Sequence, residues 1–315
     1  DEIKVRASMG KTGTQSIGDH MWRTLYSPVS YGDKNALIPT QLGNDKIKWE
    51  STVQKDLGLD FSFMRGRLGG TFGYYHKVTD GTLLNMTPAP SSSYSTVVFN
   101  IAKIRNQGLE FDIHGDFIRK KDFRWTGNLN ISRNVSKVLD INGGPFSDPN
   151  DRDAMNLGTS VVKEGEPLGL LYGRVATGII KTQAQLEAAR EEFSLWTIFD
   201  PYLNLGDIAY EYEDGFWKED VIGHATPDFF GGYTNTINWN RFTLTALFTF
   251  SYGNDLIYQK DVSDSGMSSL ANRGTRVLNH YSEDNTSSNR PRSMWATTYM
   301  LSSLNVYHAS YLKLK

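Results

Sequence analysis

Paired carboxylates are the side chains of this sequence whose spacing could support catalysis. Asp56 with Asp60, and Glu110 with Asp112, could serve as the acid and base of a glycoside hydrolase. Each pair occupies alternate positions of one predicted strand, so both members point to the same polar face. Because Asp116 and many uncharged polar residues share such faces, a wetted surface accounts for these carboxylates. The sequence therefore predicts no enzyme activity.

Three other patterns that could bind a ligand are incomplete. Residues 9–12 contain the Gly-Lys-Thr ending of a phosphate loop, but Val5 stands where that loop needs glycine. The six histidines are scattered, without a second histidine or a cysteine at the spacing of a metal site. The acidic segment 207–220 lacks the residue order of a calcium loop. We predict no cofactor and no dedicated metal site, and interpret the acidic segment as a solvated loop, with calcium as an open alternative.

The elements that position these side chains are strands with a strict two-residue alternation. In residues 57–63, the apolar positions are Leu57, Leu59, Phe61 and Phe63, and the polar or glycine positions between them are Gly58, Asp60 and Ser62. The same alternation recurs in residues 109–114 and 123–132, and charged residues almost never share the apolar face. Strands that are apolar on one face and wet on the other are typical of a transmembrane β-barrel.

Short turns and long polar connections follow each other along the chain. Tight turns are predicted at residues 65–66, at 119–121 and near Asn240, and long connections at residues 10–52, 85–99, 142–157, 181–226 and 254–307. Outer-membrane barrels keep short turns on the periplasmic side and long loops outside. We therefore predict about ten antiparallel strands, one hairpin of which joins residues 159–163 to 168–180. A capping box at Thr182 predicts a helix inside one external loop.

Composition excludes two classes of protein. The formal net charge is −2, with 33 basic and 35 acidic residues spread along the chain, so nucleic acid is not a predicted partner. No apolar run approaches the length of a membrane-spanning helix. A mean hydropathy of −0.44 is compatible with a barrel, because only alternate residues of each strand must face lipid. Both ends of the sequence fall on alternating segments, and we expect the chain to be part of a longer protein.

Alternation also selects candidate functional residues. The residues predicted to face the barrel interior, where they would hydrate the lumen and contact a plug, are Asp60, Ser62, Glu110, Asp112, His114, Asn128 and Asn130. The external loops carry aromatic residues that could stack on sugars, contact a partner or simply pack, namely Trp22, Tyr26, Tyr31 and Trp295.

Several strings of residues, taken together, resemble the SusC-like branch of TonB-dependent outer-membrane transporters of Bacteroidetes. One string ends in a Gly-Lys-Thr-Gly loop, another contains the sequence Lys-Trp-Glu at the entry to a strand, and a third closes the chain. The matching segments are residues 5–13, 47–52, 58–61, 74–79, 106–110, 206–210, 221–223 and 310–315. The segment around Asp214 departs from the family pattern, which leaves calcium binding there in doubt.

The resemblance implies an all-β antiparallel transmembrane barrel of roughly 22 strands with a plug inside it. Residues 1–315 would form a partial TonB-dependent receptor β-barrel domain, with the plug domain and the final strands outside this sequence. The implied function is TonB-energised import of glycans or peptides across the outer membrane. The implied partners are a SusD-like surface lipoprotein, the TonB complex, an oligosaccharide or peptide solute, and outer-membrane lipid.

Two other interpretations remain open. A porin or a siderophore-type outer-membrane receptor would lack the lipoprotein lid, and a porin would conduct passively. A soluble carbohydrate-binding β-protein would stay dispersed without detergent. The unpaired strands of a cut barrel argue against this last class, because open sheet edges favour aggregation.

Overall fold

The computed structural model describes residues 1–14, 19–86, 94, 97–141, 154–192, 203–260, 272–293 and 301–315. In chain order the strands are β1 (Glu2–Thr14), β2 (Leu25–Tyr31), β3 (Lys34–Gln41), β4 (Glu50–Phe63), β5 (Leu68–Met86), β6 (Val97–Arg119), β7 (Phe123–Ile141), β8 (Ala154–Asn156), β9 (Ser160–Lys163), β10 (Leu170–Arg174), β11 (Ala176–Ile179), β12 (Ile208–Tyr210), β13 (Tyr212–Glu213), β14 (Phe216–Trp217), β15 (Glu219–His224), β16 (Phe229–Trp239), β17 (Phe242–Tyr252), β18 (Asp255–Ile257), β19 (Val306–His308) and β20 (Tyr311–Leu314). The helices among these residues are α1 (Gln183–Glu192) and the 3-10 helices Thr275–Asn279 and Ser303–Asn305.

Eight of these strands form one antiparallel sheet, which we call the wall. Its strand order is β1-β4-β5-β6-β7-β16-β17-β20. Among the described residues, β1 pairs only with β4 and β20 pairs only with β17, so the sheet is open at both ends. The predicted antiparallel β architecture is confirmed, and the open sheet has the form expected of part of a barrel.

All three short turns of the wall lie at one edge, and the long connections lie at the other. The turn edge carries residues 64–67, 120–122 and 240–241. At the loop edge, β1, β5, β7 and β17 end, and β4, β6, β16 and β20 begin. Left-handed backbone at Met64, Arg65 and Asn240, with φ of 56°, 57° and 53°, lets antiparallel strands reverse within so few residues. The predicted segregation of short and long connections is confirmed.

The hairpin predicted at residues 159–180 is not part of the wall. Strands β9 and β10 pair in a separate four-stranded sheet with the order β15-β10-β9-β8, and β11 pairs with β12. The prediction of about ten wall strands counted this hairpin, and the described wall has eight. Alternation shows that a strand has one buried face, but it does not specify which sheet receives that face.

The segments beyond the loop edge form what we call the loop assembly, comprising β2, β3, β8–β15, β18, β19 and α1. The central wall strands β5, β6 and β7 contain 19, 23 and 19 residues, and a transmembrane strand needs only about 9–11. The additional residues extend these three strands beyond their neighbours at the loop edge, where they contact the loop assembly. Val97 and Val138 of these extensions pack against Val162 of β9.

Helix α1 begins with the predicted capping box. The backbone N–H of Gln185 donates to Oγ1 of Thr182 at 3.3 Å, and Oε1 of Gln185 accepts from the backbone N–H of Thr182 at 3.1 Å. The buried face of the helix, Leu186 and Ala189, packs against Ile180. Among the described helices, none has the length and hydrophobicity needed to span a membrane.

The buried core lies in the loop assembly and at its junction with the wall. Ile180 and Val138 are fully buried, whereas apolar side chains of the wall such as Val5 and Leu244 are 67% and 63% exposed. The wall therefore has no hydrophobic core of its own. Its stability depends on strand pairing and on contacts that its apolar face makes outside this chain.

Candidate functional site

Cross-strand register aligns residues of like polarity in rows that cross all eight wall strands. One row is polar or glycine at every position, namely Lys4, Asp60, Thr71, Asp112, Asn130, Gly232, Thr249 and Lys313. The adjacent row, on the opposite face, is Ile3, Phe61, Gly70, Ile113, Leu129, Tyr233, Phe248 and Leu314. A one-residue slip in any strand would break both rows, so the sequence fixes the register. These rows define a polar face and an apolar face.

The structure places all seven predicted interior residues on the polar face. They are Asp60 and Ser62 on β4, Glu110, Asp112 and His114 on β6, and Asn128 and Asn130 on β7. Asp112 lies directly opposite Asn130, and His114 lies opposite Asn128. Their contact with a plug or a solute stays a prediction.

A cavity of about 460 Å³ opens on the polar face, where β1, β4, β5, β6 and β7 run side by side. Its charged lining consists of Arg6 and the carboxylates of Asp56, Glu110 and Asp112. Asp56 accepts hydrogen bonds from Ser8 and Gln54, at 3.2 and 2.8 Å. A space of this volume accommodates a small molecule, and we call it the acidic cavity because carboxylates outnumber its single lining cation.

Arg6 and Asp60 form the most extended polar contact at the margin of the acidic cavity. Nε and Nη2 of Arg6 donate to the two carboxylate oxygens of Asp60 at 2.7 and 2.8 Å, and the hydroxyl of Thr71 donates to Oδ1 at 3.0 Å. The two charged side chains are 52% and 33% exposed. Such a pair orients both groups across neighbouring strands, and solvent screening keeps its contribution to stability small.

Glycine faces a large side chain at several positions of the wall. A Cβ on Gly58 would lie 3.1 Å from Cζ of Arg6 on the polar face, and one on Gly70 would lie 2.8 Å from Cζ of Phe61 on the apolar face. The same relation holds for Gly69 with His114, Gly127 with Phe117 and Gly231 with Phe250. Missing Cβ atoms thus leave room for side chains that lean over the neighbouring strand.

A model of the family described as "TonB dependent receptor-like, beta-barrel" matches residues 1–246, from β1 through β16 and into β17. The chain belongs to the TonB-dependent receptor family. The match includes every wall strand that lines the acidic cavity, so the cavity is a feature of the barrel domain.

Curated relatives confirm the resemblance to SusC-like receptors, a family of outer-membrane transporters. TonB-dependent receptor P3 of Formosa agariphila is 31% identical over 99% of this chain and 31% of its own length. Receptor P39 of the same organism is 30% identical over 82% and 27%. TonB-dependent receptor SusC of Bacteroides thetaiotaomicron is 34% identical over 47% and 16%. This receptor chain spans less than a third of the length of these relatives, which are named as receptors and not as enzymes.

Solved structures of a peptide transporter share the fold of this chain. The structure of the RagAB peptide transporter aligns with a TM-score of 0.76 and 20% identity, covering 99% of this chain and 33% of that chain. The "open-open" state of the RagAB peptide importer aligns with a TM-score of 0.71. At this identity the likeness establishes the fold, which is a segment of a larger barrel together with its external loops.

The predicted external aromatic residues of this receptor lie in or beside the hairpin of β2 and β3. Trp22 precedes β2 and is 52% exposed, with the guanidinium of Arg23 4.4 Å from its ring centroid. Tyr26 and Tyr31 on β2 are 56% and 79% exposed. Trp295 lies outside the described residues. Their role in binding a solute or a partner stays a prediction.

The acidic segment of the receptor forms a small hairpin in the loop assembly. Strands β13 and β14 are joined by Asp214 and Gly215, which have φ of 52° and 81°. Within the described residues, no group of three or more histidine, aspartate and glutamate side chains is arranged to hold a metal ion. Glu211 instead accepts a hydrogen bond from Nζ of Lys218 at 3.0 Å, and this contact raises the pKa of Lys218.

A buried ion pair connects two segments of the loop assembly. Nε and Nη2 of Arg292 donate to Oδ1 and Oδ2 of Asp207 at 2.7 and 3.0 Å, and the backbone N–H of Asn204 donates to Oδ2 at 2.7 Å. The Asp207 side chain is 3% exposed. Burial raises the pKa of Asp207, and the hydrogen bonds from Arg292 oppose that rise.

Two polar residues of the acidic cavity are not among those that the sequence predicts for the polar face. Arg6 and Tyr75 line the cavity alongside the predicted Asp56, Glu110 and Asp112. The alternation of β1, which places Ile3, Val5 and Ala7 on the apolar face, also assigns the residue between Val5 and Ala7 to the polar face. That signal would have identified Arg6, but the strand pairing that brings it to Asp60 is long-range.

Proposed function

We propose that this chain forms part of the wall of a TonB-energised importer in the outer membrane. The observation that carries the proposal is the pair of rows, one polar and one apolar, across all eight wall strands. The apolar face meets outer-membrane lipid, and the polar face meets the interior. Because lipid cannot satisfy unpaired backbone groups, the free edges of β1 and β20 require further strands. We assign those strands and the plug domain to parts of the protein outside residues 1–315.

The transported solute is an oligosaccharide or a peptide, and the acidic cavity is its contact point on this part of the wall. Glu110 and Asp112 line the cavity and make no side-chain hydrogen bond to other described residues. Carboxylates of this kind accept hydrogen bonds from sugar hydroxyls, peptide N–H groups or ammonium groups. The fold shared with the RagAB peptide transporter supports the peptide class, and the resemblance to SusC-like transporters is the ground for the oligosaccharide class.

A SusD-like surface lipoprotein binds at the loop edge, and the TonB complex acts from the opposite side through the plug region. The loop assembly has its own buried core and presents exposed aromatic side chains, including Trp22, Tyr26 and Tyr31. A folded, aromatic-rich surface at the external edge suits contact with a second protein.

The first test is purification of the full-length receptor from outer membranes in mild detergent, combined with an uptake assay. We expect a surface lipoprotein to copurify and uptake of the oligosaccharide or peptide to stop when TonB is depleted. Passive conductance without TonB would favour a porin, and TonB-dependent uptake without a lipoprotein would favour a siderophore-type receptor. Either result would overturn the proposal that this receptor is a TonB-energised importer working with a surface lipoprotein.

The acidic cavity is tested by the double variant Glu110→Gln and Asp112→Asn in the full-length receptor. We expect solute uptake to fall roughly tenfold through loss of charge-assisted hydrogen bonds, with unchanged copurification of the lipoprotein. The matched control is Glu164→Gln, which removes one carboxylate from a turn of the loop assembly. Equal uptake by the double variant and the wild type would show that the acidic cavity does not bind the transported solute.

A further inference from the structure

A second cavity, of about 290 Å³, lies on the polar face toward the turn edge. It is lined by Arg67 of the turn before β5 and by residues of β6, β7 and β16, among them His114, Asp116, Arg124, Asn128 and Thr234. Two arginines and one carboxylate supply its fixed charges. We call it the basic cavity. Its charge is opposite to that of the acidic cavity, although both lie on one face of the same sheet.

Two arginines contact the Asp116 carboxylate of the basic cavity, and a third contacts the backbone of the same residue. Nη2 of Arg124 lies 2.8 and 3.0 Å from the two oxygens of Asp116, and Nη1 of Arg119 lies 3.8 Å from Oδ2. Nη2 of Arg67 donates to the backbone carbonyl of Asp116 at 3.2 Å, so its charge is not matched by this carboxylate. Asp116 neutralises one guanidinium, and the cluster therefore retains an excess of positive charge.

The uncharged polar side chains of the basic cavity have hydrogen-bonding capacity to spare. His114, Asn128 and Thr234 make no side-chain hydrogen bond with any other residue in the described part of the chain. Nε2 of His114 lies over Gly69, and a Cβ at Gly69 would be only 2.7 Å from it. Glycine at this position therefore leaves the space that the imidazole occupies. An imidazole, an amide and a hydroxyl thus accompany the guanidinium groups.

The surroundings strengthen the positive potential. The turn edge beside the cavity carries further basic residues, namely Arg65, Lys120, Lys121 and Arg241. A concave surface with one dominant sign of charge concentrates ligands of the opposite sign. Guanidinium groups recognise carboxylates through paired N–H donors, as Arg124 already does with Asp116.

We propose that the basic cavity is a binding site for a carboxylate, held by Arg67 and Arg124 with His114 and Asn128 as additional partners. The carboxylate comes either from a transported solute or from an acidic side chain of the receptor outside these residues. This inference rests on the proposal that the polar face meets the barrel interior. Its test measures binding and not transport, so either proposal can fail alone.

The test uses isothermal titration of the full-length receptor in detergent with succinate at low ionic strength. Arg124→Gln should weaken binding roughly tenfold, because it removes a charge-assisted donor. Asp116→Asn should strengthen binding several-fold, because it removes the only competing carboxylate in the cavity. Both substitutions break the Arg124–Asp116 pair, so a purely structural effect would move affinity in one direction. Arg276→Gln, a charge-matched change in the loop assembly, should leave affinity unchanged.

A labelling experiment distinguishes the two sources of the carboxylate. Asn128→Cys in the full-length receptor is treated with a maleimide reagent. Met64→Cys at the turn edge, where Met64 is 67% exposed, serves as the accessible control. Fast labelling that succinate slows indicates a free solute site. Slow labelling indicates that an acidic segment of the receptor covers the cavity. In that case adding Arg124→Gln should accelerate labelling, whereas adding Asp116→Asn should not. Fast labelling without succinate binding, or affinity changes of the same sign in both variants, would overturn the proposal.

Discussion

The wall and the loop assembly place apolar residues in opposite positions. Leu244 and Val5 on the wall are 63% and 67% exposed, whereas Leu186 and Ile208 in the loop assembly are 3% and 2% exposed. The same side-chain types therefore face outward in one region and inward in the other. The difference is the one expected of a chain with two surroundings: the chain itself covers the core of the loop assembly, and we propose that lipid covers the apolar face of the wall.

Charged groups differ between the two regions in the same way. The Arg6–Asp60 pair on the polar face of the wall is partly exposed, whereas Asp207 in the loop assembly is 3% exposed and paired with Arg292. Breaking the buried pair leaves an uncompensated charge without water, but breaking the wall pair returns both groups to solvent. Stability measurements on substitutions in each region test this contrast.

The largest effect is expected for Arg292→Ala in the loop assembly. Removal of the guanidinium leaves the buried Asp207 carboxylate unpaired, which costs about 3–5 kcal/mol. Hydrogen exchange of the full-length receptor should show faster exchange in β11 and β12 with unchanged protection of the wall. The double variant Arg292→Ala and Asp207→Asn should recover part of the loss. Unchanged exchange in β11 and β12 would show that the pair does not hold these segments together.

A similar but smaller effect is expected on the apolar face of the wall. Leu129→Arg should destabilise the receptor in lipid vesicles by about 2–4 kcal/mol near the bilayer centre, whereas the neighbouring Asn130→Arg on the polar face should cost far less. The pair Phe61→Arg and Ser62→Arg repeats this comparison nearer the turn edge, where the cost declines. Urea titration of vesicle-embedded receptor measures both. Equal costs on the two faces would contradict the assignment of lipid to the apolar face.

The capping box of α1 offers a third, local test. Thr182→Ala removes the side chain that accepts from the backbone N–H of Gln185, and we expect a loss of about 0.5–2 kcal/mol. Because the helix belongs to the loop assembly, hydrogen exchange should rise in α1 alone. Thr182→Ser retains the hydroxyl and should restore protection. Equal protection in the alanine and serine variants would mean that packing of Leu186 and Ala189 suffices.

The smallest effect is expected for the Arg6–Asp60 pair of the wall. A double-mutant cycle with Arg6→Ala and Asp60→Ala should give a small coupling free energy that falls further at high salt, because solvent and ions screen the pair. The same cycle with Arg292 and Asp207 should give a larger, less salt-sensitive value. Equal coupling free energies at the two pairs would show that burial does not change the strength of these ion pairs.

Local patterns predicted the elements of the wall accurately. The turn predicted near Asn240 is present, where Asn240 has left-handed backbone, and β17 begins directly after it at Phe242. The strand β6 was predicted to start at residue 100 but starts at Val97, because its first residues are buried against the loop assembly and no longer alternate. The hairpin of β2 and β3 was missed inside a long loop, where short strands leave little periodic signal.

The sequence by itself determined the two faces of each wall strand, the turn edge, the capping box of α1 and the family, since all of these depend on short-range order or on matching strings of residues. Only the tertiary structure decided that the hairpin of β9 and β10 leaves the wall, that Arg6 meets Asp60, and that Arg67, Arg119 and Arg124 surround Asp116. The physical reason is that alternation specifies which side a residue faces, whereas strand pairing across long chain separations specifies its neighbours.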